Sequence, residues 1–447
     1  MIKYCRFVDV GAEINGWNQV VFRSGHRPFE IDKVKWIGEL PVLYPLSDNN
    51  FWIKWDNCGN LIFEHDLLQS AFYLLSAQQE VEIGQKDEFG RFMFQGSVQQ
   101  QLNIVHKPVV NSYFKIILEA FAKFCQAQGI AFATRKPFDH FAFFLSHDID
   151  RLYFHHPREA VGRVMQVCGL RPKEYPKGVL WRLLCKDAIY SWRFRKKDAW
   201  NNFHYLIKSS ELRGIHSTFY FLPKTTNRMN SRYRLNDVDI KAIISHITSK
   251  HIEIGLHFPL SGTDDKYGYL DLLSEIAGIK LLGGRRHYLA VDYPKSFIED
   301  STHKVLYDSS FGFSEHEGFR NSFCFPFKPY DHANERIVDA WVVPLVAMDV
   351  TFLFKRGLQF DEIDGIIKKI VCDVVDFGGV FSLLWHNCRF DEINFPGITL
   401  FYERILDIMV QKKAQGISGR EIVSTVNGLS DYSSFINDFN NGFTSNE

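Results

Sequence analysis

From residue 141 onward the chain alternates strand-like and helix-like segments, which predicts an α/β fold built on a parallel sheet or a (β/α) barrel. Three observations carry this. Strand-like runs recur at 141–145, 217–222, 253–256, 287–289, 304–307, 338–343 and 380–385. Helix-period segments lie between them, at 237–249, 270–279, 360–375 and 398–412. Polar, titratable residues repeatedly follow the apolar run directly, at the expected carboxyl end of a strand.

Ahead of this alternation lies a smaller α+β block, residues 1–135. It holds a strand-like Gln19-Val20-Val21-Phe22, a helical stretch over 66–75, and an amphipathic helix from Tyr113 to about Gln128. The second unit runs over 136–428 and carries an insertion at 151–198. Between Arg171 and Asp198 the insertion has nine Lys/Arg against three acids, with Tyr175, Trp181, Tyr190 and Trp192 interleaved. It reads as a solvated face with buried aromatics; the other reading is a basic, aromatic lid over an acidic or sugar-bearing substrate, or a patch touching anionic lipid. Residues 429–447 are polar and rich in Asn and Ser, and are expected to be a flexible tail.

Lys+Arg and Asp+Glu balance at 52 each, so the net charge makes no case for a nucleic-acid partner. No apolar run approaches the length of a membrane span, and the first residues lack the apolar core of a signal peptide. The eight Cys are scattered with no CxxC pair, so neither a disulfide framework nor a zinc ribbon is indicated. Reduced thiols in a cytoplasmic protein are the expectation.

The most informative stretch is Phe144-Leu145-Ser146-His147-Asp148-Ile149-Asp150. Side chains two apart on a strand share a face, so Asp148 and Asp150 point the same way. Two close carboxylates in apolar surroundings cannot both ionise cheaply. A metal ion would resolve the conflict, with one acid as ligand and the other as base; a strand-end Asx turn is the plainer alternative. Further polar groups follow apolar runs in Glu253-Ile254-Gly255-Leu256-His257, Gly284-Arg285-Arg286-His287-Tyr288, Gly318-Phe319-Arg320, Met348-Asp349 and Leu383-Leu384-Trp385-His386. In barrels the loops after the strands converge on one mouth, and chemistry collects there.

Taken together, residues 141 to about 420 resemble the polysaccharide deacetylase (NodB-homology) family. Ser146-His147-Asp148-Ile149-Asp150 is similar to its first motif, Glu253 to His257 to its metal-His motif, Arg285-Arg286-His287-Tyr288 to its Arg motif, and Leu383 to His386 to its final Leu-x-x-His motif. The first block, with Ser70 to Ser76 and Asp87-Glu88-Phe89-Gly90-Arg91-Phe92, resembles an uncharacterised domain that precedes such deacetylases in some bacterial surface-polysaccharide clusters. The resemblance implies a distorted (β/α)7-type barrel and a metal-dependent deacetylase acting on an N-acetylated sugar; the lack of a signal-peptide pattern favours a cytoplasmic precursor, such as a nucleotide- or lipid-linked sugar, as the expected substrate. The resemblance also implies Asp148 as general base, His386 as general acid, Arg285 holding the base carboxylate ionised and Asp349 orienting His386. Asp150 and His257 would hold a divalent metal, Zn²⁺ suiting Asp plus imidazole best, with Co²⁺, Ni²⁺ and Fe²⁺ also compatible.

One departure matters. The family's second metal His falls on Ser261, a poor ligand for a zinc-type ion. Either His287 supplies the third ligand, or the ion is held weakly by Asp150, His257 and waters, or hydrolysis was lost and the cleft kept for sugar binding or assembly. The first is preferred, since His287 stands at a predicted strand end beside the mouth. A small-molecule amidohydrolase on the same fold is a further alternative. Arg320, Trp385 and Tyr288 are the substrate-binding candidates: Arg320 for a carboxylate or phosphate, Trp385 as an apolar wall for a sugar face.

Overall fold

The computed structural model describes residues 4–172, 174–190, 198–260 and 265–428. Ser261, Trp192 and the 429–447 tail lie outside the described residues. No helix among the described residues is long and apolar enough to cross a membrane.

The larger sheet is parallel throughout. Its order is Trp341–Val342, Tyr307–Asp308, Gly283–Arg286, Glu253–Phe258, Thr218–Phe221, Ala142–Ile149, Val380–Leu384 and Ala347–Met348, with Gln415–Gly416 also paired to Ala142–Ile149. Each strand thus neighbours the next in sequence, and the two edge strands are themselves consecutive, joined by residues 343–346. That link spans at most ~18 Å, whereas the edges of a flat sheet of these strands would lie ~34 Å apart. The sheet must therefore curl, with its gap between the edges.

Alternation along the strands builds two cores. Phe143, Leu145, Phe219, Ile254, Leu256, Phe381 and Leu383 face outward and pack under the helices Val238–Ser249, Gly268–Ala277, Phe360–Phe377 and Ile398–Gln411. Ala142, Phe144, Tyr220, Tyr307 and Val380 face inward, where Ile422 and Val423 of the last helix, Gly419–Val426, plug the base. A polar layer lies above this plug: Glu253 accepts from Tyr307 Oη (2.9 Å) and Thr218 Oγ1 (3.1 Å).

The strand expected at 287–289 is instead Gly283–Arg286, and His287–Leu289 forms a 3₁₀ turn. A Cβ on Gly283 would come within 2.0 Å of the Tyr307 ring, so this strand is glycine where a neighbour's side chain needs the space, and its low β-propensity concealed it. The expected 304–307 and 338–343 strands shrink to two sheet residues each, and the edge strand Ala347–Met348 was not foreseen. Two residues show no periodicity. The sheet path accordingly has eight strands where the resemblance implied a seven-strand barrel.

The N-terminal region has its own four-stranded sheet, in the order Cys5–Asp9, Val20–Ser24, Leu61–Phe63, Ile53–Trp55. The helices Leu67–Leu75 and Val109–Ala127 cover it around a separate core that includes Val20, Phe63, Leu74, Tyr113 and Phe124. It joins the barrel side through Gly318-Phe319-Arg320. The Phe319 N–H donates to Val105 O (2.7 Å), and a Cβ on Gly318 (φ +121°) would lie 2.3 Å from that same oxygen. Arg320 donates through Nε and Nη2 to the two oxygens of Glu80, each at 2.7 Å. Both side chains are almost wholly buried.

Removing one partner of a buried ion pair leaves an uncompensated charge. Arg320→Met is expected to cost ~3–5 kcal/mol of unfolding free energy in urea titrations, and Glu80→Leu in the same chain to restore most of it.

Candidate active site

The first barrel strand ends in the two acids. Its pairing continues through Ile149, so Asp148 lies within the strand on the interior face and Asp150 directly beyond it. Asp148 is buried and its counter-charge is Arg285, whose Nη1 donates to Asp148 Oδ1 (3.2 Å) and Ser146 Oγ (2.7 Å). Arg285 Nε donates to Ser309 O (3.1 Å), and the guanidinium lies 4.8 Å over the Tyr220 ring. A guanidinium fixed this firmly is a positional element rather than a mobile counter-ion.

Asp150, His257 and His287 each present a ligand atom, and these atoms lie within 4.8 Å of one another. Register places His257 beside Arg285 on the neighbouring strand. His257 Nδ1 meets the carbonyl of Arg285 at 2.8 Å and must donate to it, which leaves Nε2 as the lone-pair nitrogen. That Nε2 is 3.3 Å from Asp150 Oδ1 and 3.4 Å from Asp148 Oδ2. His287 Nδ1 lies 3.1 Å from Asn230 Oδ1, which also accepts from the Leu260 N–H (3.0 Å). A backbone N–H can only donate, so the Asn230 oxygen is an acceptor, His287 Nδ1 carries the proton, and its Nε2 also faces the site with a lone pair.

These residues fit a divalent ion. Asp150 Oδ1 is buried without a hydrogen-bond partner, and two imidazoles with a carboxylate form a zinc-type donor set. Burial pushes His287 down to about 4, so the ring is in its neutral, ligating form. Burial opposes charge on His257 as well, but the carboxylates of Asp148 and Asp150 beside it raise it above the ordinary imidazole value. Burial disfavours ionised Asp150, yet the imidazoles around it hold its carboxyl well below the usual range.

His386 follows the strand Val380–Leu384, and its Nε2 is 3.7 Å from Asp150 Oδ2. Its Nδ1–H donates to Asp349 Oδ1 and its backbone N–H to Oδ2, both at 2.8 Å, while the Val350 N–H also donates to Asp349 (2.7 Å). Burial works against a charged ring, but Asp349, then Asp150 and Asp148, carry His386 up to about 9. At neutral pH it holds a proton at Nε2 facing the site.

A cavity of about 840 Å³ opens over these groups and is lined by Asp148, Asp150, His257, His287, Tyr288 and His386. The insertion contributes Phe154, Arg163 and Tyr175 to its wall, and the N-terminal region contributes Glu88, Phe89 and Arg91. Tyr288 and Leu289 both have positive φ (59° and 54°), a strained turn held from outside. Phe89 stacks on Tyr288 at 4.6 Å, and Arg91 Nη1 donates to Tyr288 O at 2.7 Å.

Two of the residues read from the sequence lie elsewhere. Arg320 is spent on Glu80 and does not line the cavity. Trp385 has no exposed surface and packs with Phe390, Phe401 and Tyr402, because an indole facing outward from the barrel meets the helix layer. The histidines flanking the first motif have structural partners. His147 bonds to Trp385 O (2.8 Å), His155 pairs with Asp187 (2.7 Å), and His156 caps the helix Pro157–Val167. A second group, His106, His316 and Glu317, lies within ligand reach, but Arg356 already pairs with Glu317, so a cation is in place. Asn230, Phe89 and Arg91 gave no signal of a site role, since their partners are brought in from remote segments.

A family of unknown function, DUF7033, matches residues 9–126. No curated protein matches the chain. Among solved structures, one from Mycobacterium smegmatis described as a "putative polysaccharide deacetylase" aligns with a TM-score of 0.41 at 13% identity, over 67% of this chain and 93% of that one. A likeness of that size assigns no function to the chain.

The His386–Asp349 pair sets a pH dependence in metal-free protein. The histidine is raised, so the stabilisation from its charged form is full below the ordinary 6.5 and is lost as pH climbs through about 9. In Asp349→Asn the His386 ring, followed by NMR, is expected to titrate well below the wild-type midpoint.

Proposed function

We propose that this protein is a metal-dependent amide hydrolase that removes the acetyl group from an N-acetylated sugar. The observation that carries the reading is the convergence of Asp150, His257 and His287 within ligand distance, beside a buried Asp148–Arg285 pair and a protonated His386. Asp150, His257 and His287 would hold the ion. When bound, such an ion supplies polarisation of the acetamide carbonyl and acidification of water. Asp148 takes the proton from the attacking water as general base, and Arg285 keeps that carboxylate in place. His386 delivers its Nε2 proton to the departing sugar amine, while Asp349 fixes the ring and supports its charge. Tyr288, 37% exposed at the mouth, offers an aromatic face to a sugar ring. The cavity volume suits a sugar with one substituent group, such as a nucleotide- or lipid-linked precursor.

The test begins with metal content. Wild-type protein is expected to carry near one zinc-type ion per chain, and Asp150→Ala and His257→Ala to lose it. His287→Ala with full occupancy would remove His287 as the third ligand. Asn230→Ala, which releases His287, is expected to weaken zinc binding by about 10–100-fold. Asp148→Asn and His386→Ala are expected to keep the ion and lower kcat for acetate release by about 10²–10⁴. A zinc-loaded wild type that releases no acetate from any N-acetylated sugar would sink the hydrolase reading in favour of sugar binding.

A further inference from the structure

We infer that the sugar substrate carries an anionic group, a phosphate or carboxylate, and that Arg389 binds it. The inference builds on the sugar reading above but stands on a different side chain. Arg389 closes the 3₁₀ turn Asn387–Arg389 directly after His386, and its side chain lines the same cavity. The guanidinium lies over the Phe354 ring, 4.5 Å from its centroid. Its Nε is buried without a hydrogen-bond partner, and it has no ion pair among the described residues.

The cavity's other well-enclosed arginines are committed. Arg91 pairs with Asp87, Arg163 with Asp187, Arg286 with Asp300, and Arg232 with Glu159. The carboxylates near Arg389 are committed too. Asp391 accepts from Tyr175 Oη (3.1 Å), Asn394 Nδ2 (2.9 Å) and the Ile393 N–H (3.0 Å). Asp349 holds His386, and Asp148 holds Arg285. Arg389 therefore presents a planar fork of unused donors beside the reaction centre. A buried donor left unpaired costs about 1–3 kcal/mol, and more when charged. A ligand oxyanion relieves that cost, and phosphate and carboxylate match the fork bidentately. The rim points the same way: Arg171, Arg228 and Lys355 are exposed without ion pairs among the described residues, against the unpaired acids Glu88 and Glu174.

The experiment is calorimetric titration of the zinc-loaded full chain, wild type and variants, with four probes: N-acetylglucosamine, its 1-phosphate, UDP-N-acetylglucosamine and an N-acetylated hexosaminuronic acid. In wild type the anionic probe that fits is expected to bind about 10–100-fold tighter than the neutral sugar. Which of the three gains most tells phosphate from carboxylate. Zinc attracts anions by itself, so Arg389→Ala decides: there the preference is expected to collapse. Arg389→Lys keeps the charge but not the fork, and is expected to retain part of it. Zinc content equal to wild type certifies each variant as folded; if Arg389→Ala fails that check, Arg389→Lys carries the test. Equal binding of neutral and anionic sugars by wild type, or a preference unchanged in the variants, overturns the proposal. Arg389-dependent binding without acetate release would sink the deacetylase reading and leave the anion site standing. Acetate release with no anion preference would do the reverse.

Discussion

Two carboxylates, one inside the first barrel strand and one directly after its end, create the constraint around which the rest of the site is arranged. Asp148, buried, and Asp150, facing the cavity, sit where a curled parallel sheet brings its carboxyl ends together. Each must have a counter-charge. Arg285, wholly buried and fixed by Ser146 and Ser309, serves Asp148. Three imidazoles surround Asp150, at 3.3, 3.9 and 3.7 Å. The two arrangements separate the acids: Asp148 is anchored by a guanidinium, and Asp150 is left with an unpartnered oxygen within ligand distance of His257 and His287.

Orientation is supplied from behind the site. The Arg285 carbonyl sets the His257 tautomer, Asn230 sets that of His287, and Asp349 sets that of His386. In each case the ring nitrogen facing away from the site donates, so the Nε2 atom is the one turned toward the site. The strained Tyr288–Leu289 turn places His287 and Tyr288 at the mouth, and the N-terminal region braces it through Phe89 and Arg91. The Arg320–Glu80 pair and the close Gly318–Val105 approach hold that brace in register with the barrel. The N-terminal region thus contributes both to stability and to the cavity wall.

Much of this arrangement was legible in the chain, for definite reasons. The outward faces of Phe143–Leu145 and Phe381–Leu383 alternate cleanly because one side meets helices and the other the barrel interior, and helices such as Phe360–Phe377 show their apolar stripe directly. Strands of two residues have no period to detect, and Gly283–Gly284 reads as a turn until the Tyr307 and Phe258 rings that need the space are known. Arg320 and Trp385 were misread for a related reason: a guanidinium or an indole after an apolar run looks alike whether it faces a cavity or a distant Glu80.

The sequence by itself determined the α/β alternation, the two-acid motif at a strand end, and the chain order in which Asp148, Asp150, His257 and His386 come to the cavity. These depend on period-2 patterning and on local spacing, which a single chain displays. The sequence pointed to His287 as a ligand candidate, but only the tertiary structure brings it within reach of Asp150 and His257, aims it with Asn230, carries Phe89 and Arg91 to the mouth, and leaves Arg389 as the enclosed cavity arginine without an ion pair among the described residues. Those facts depend on contacts across tens to hundreds of residues, and on which carboxylate each cation meets first; neither leaves a trace in local spacing.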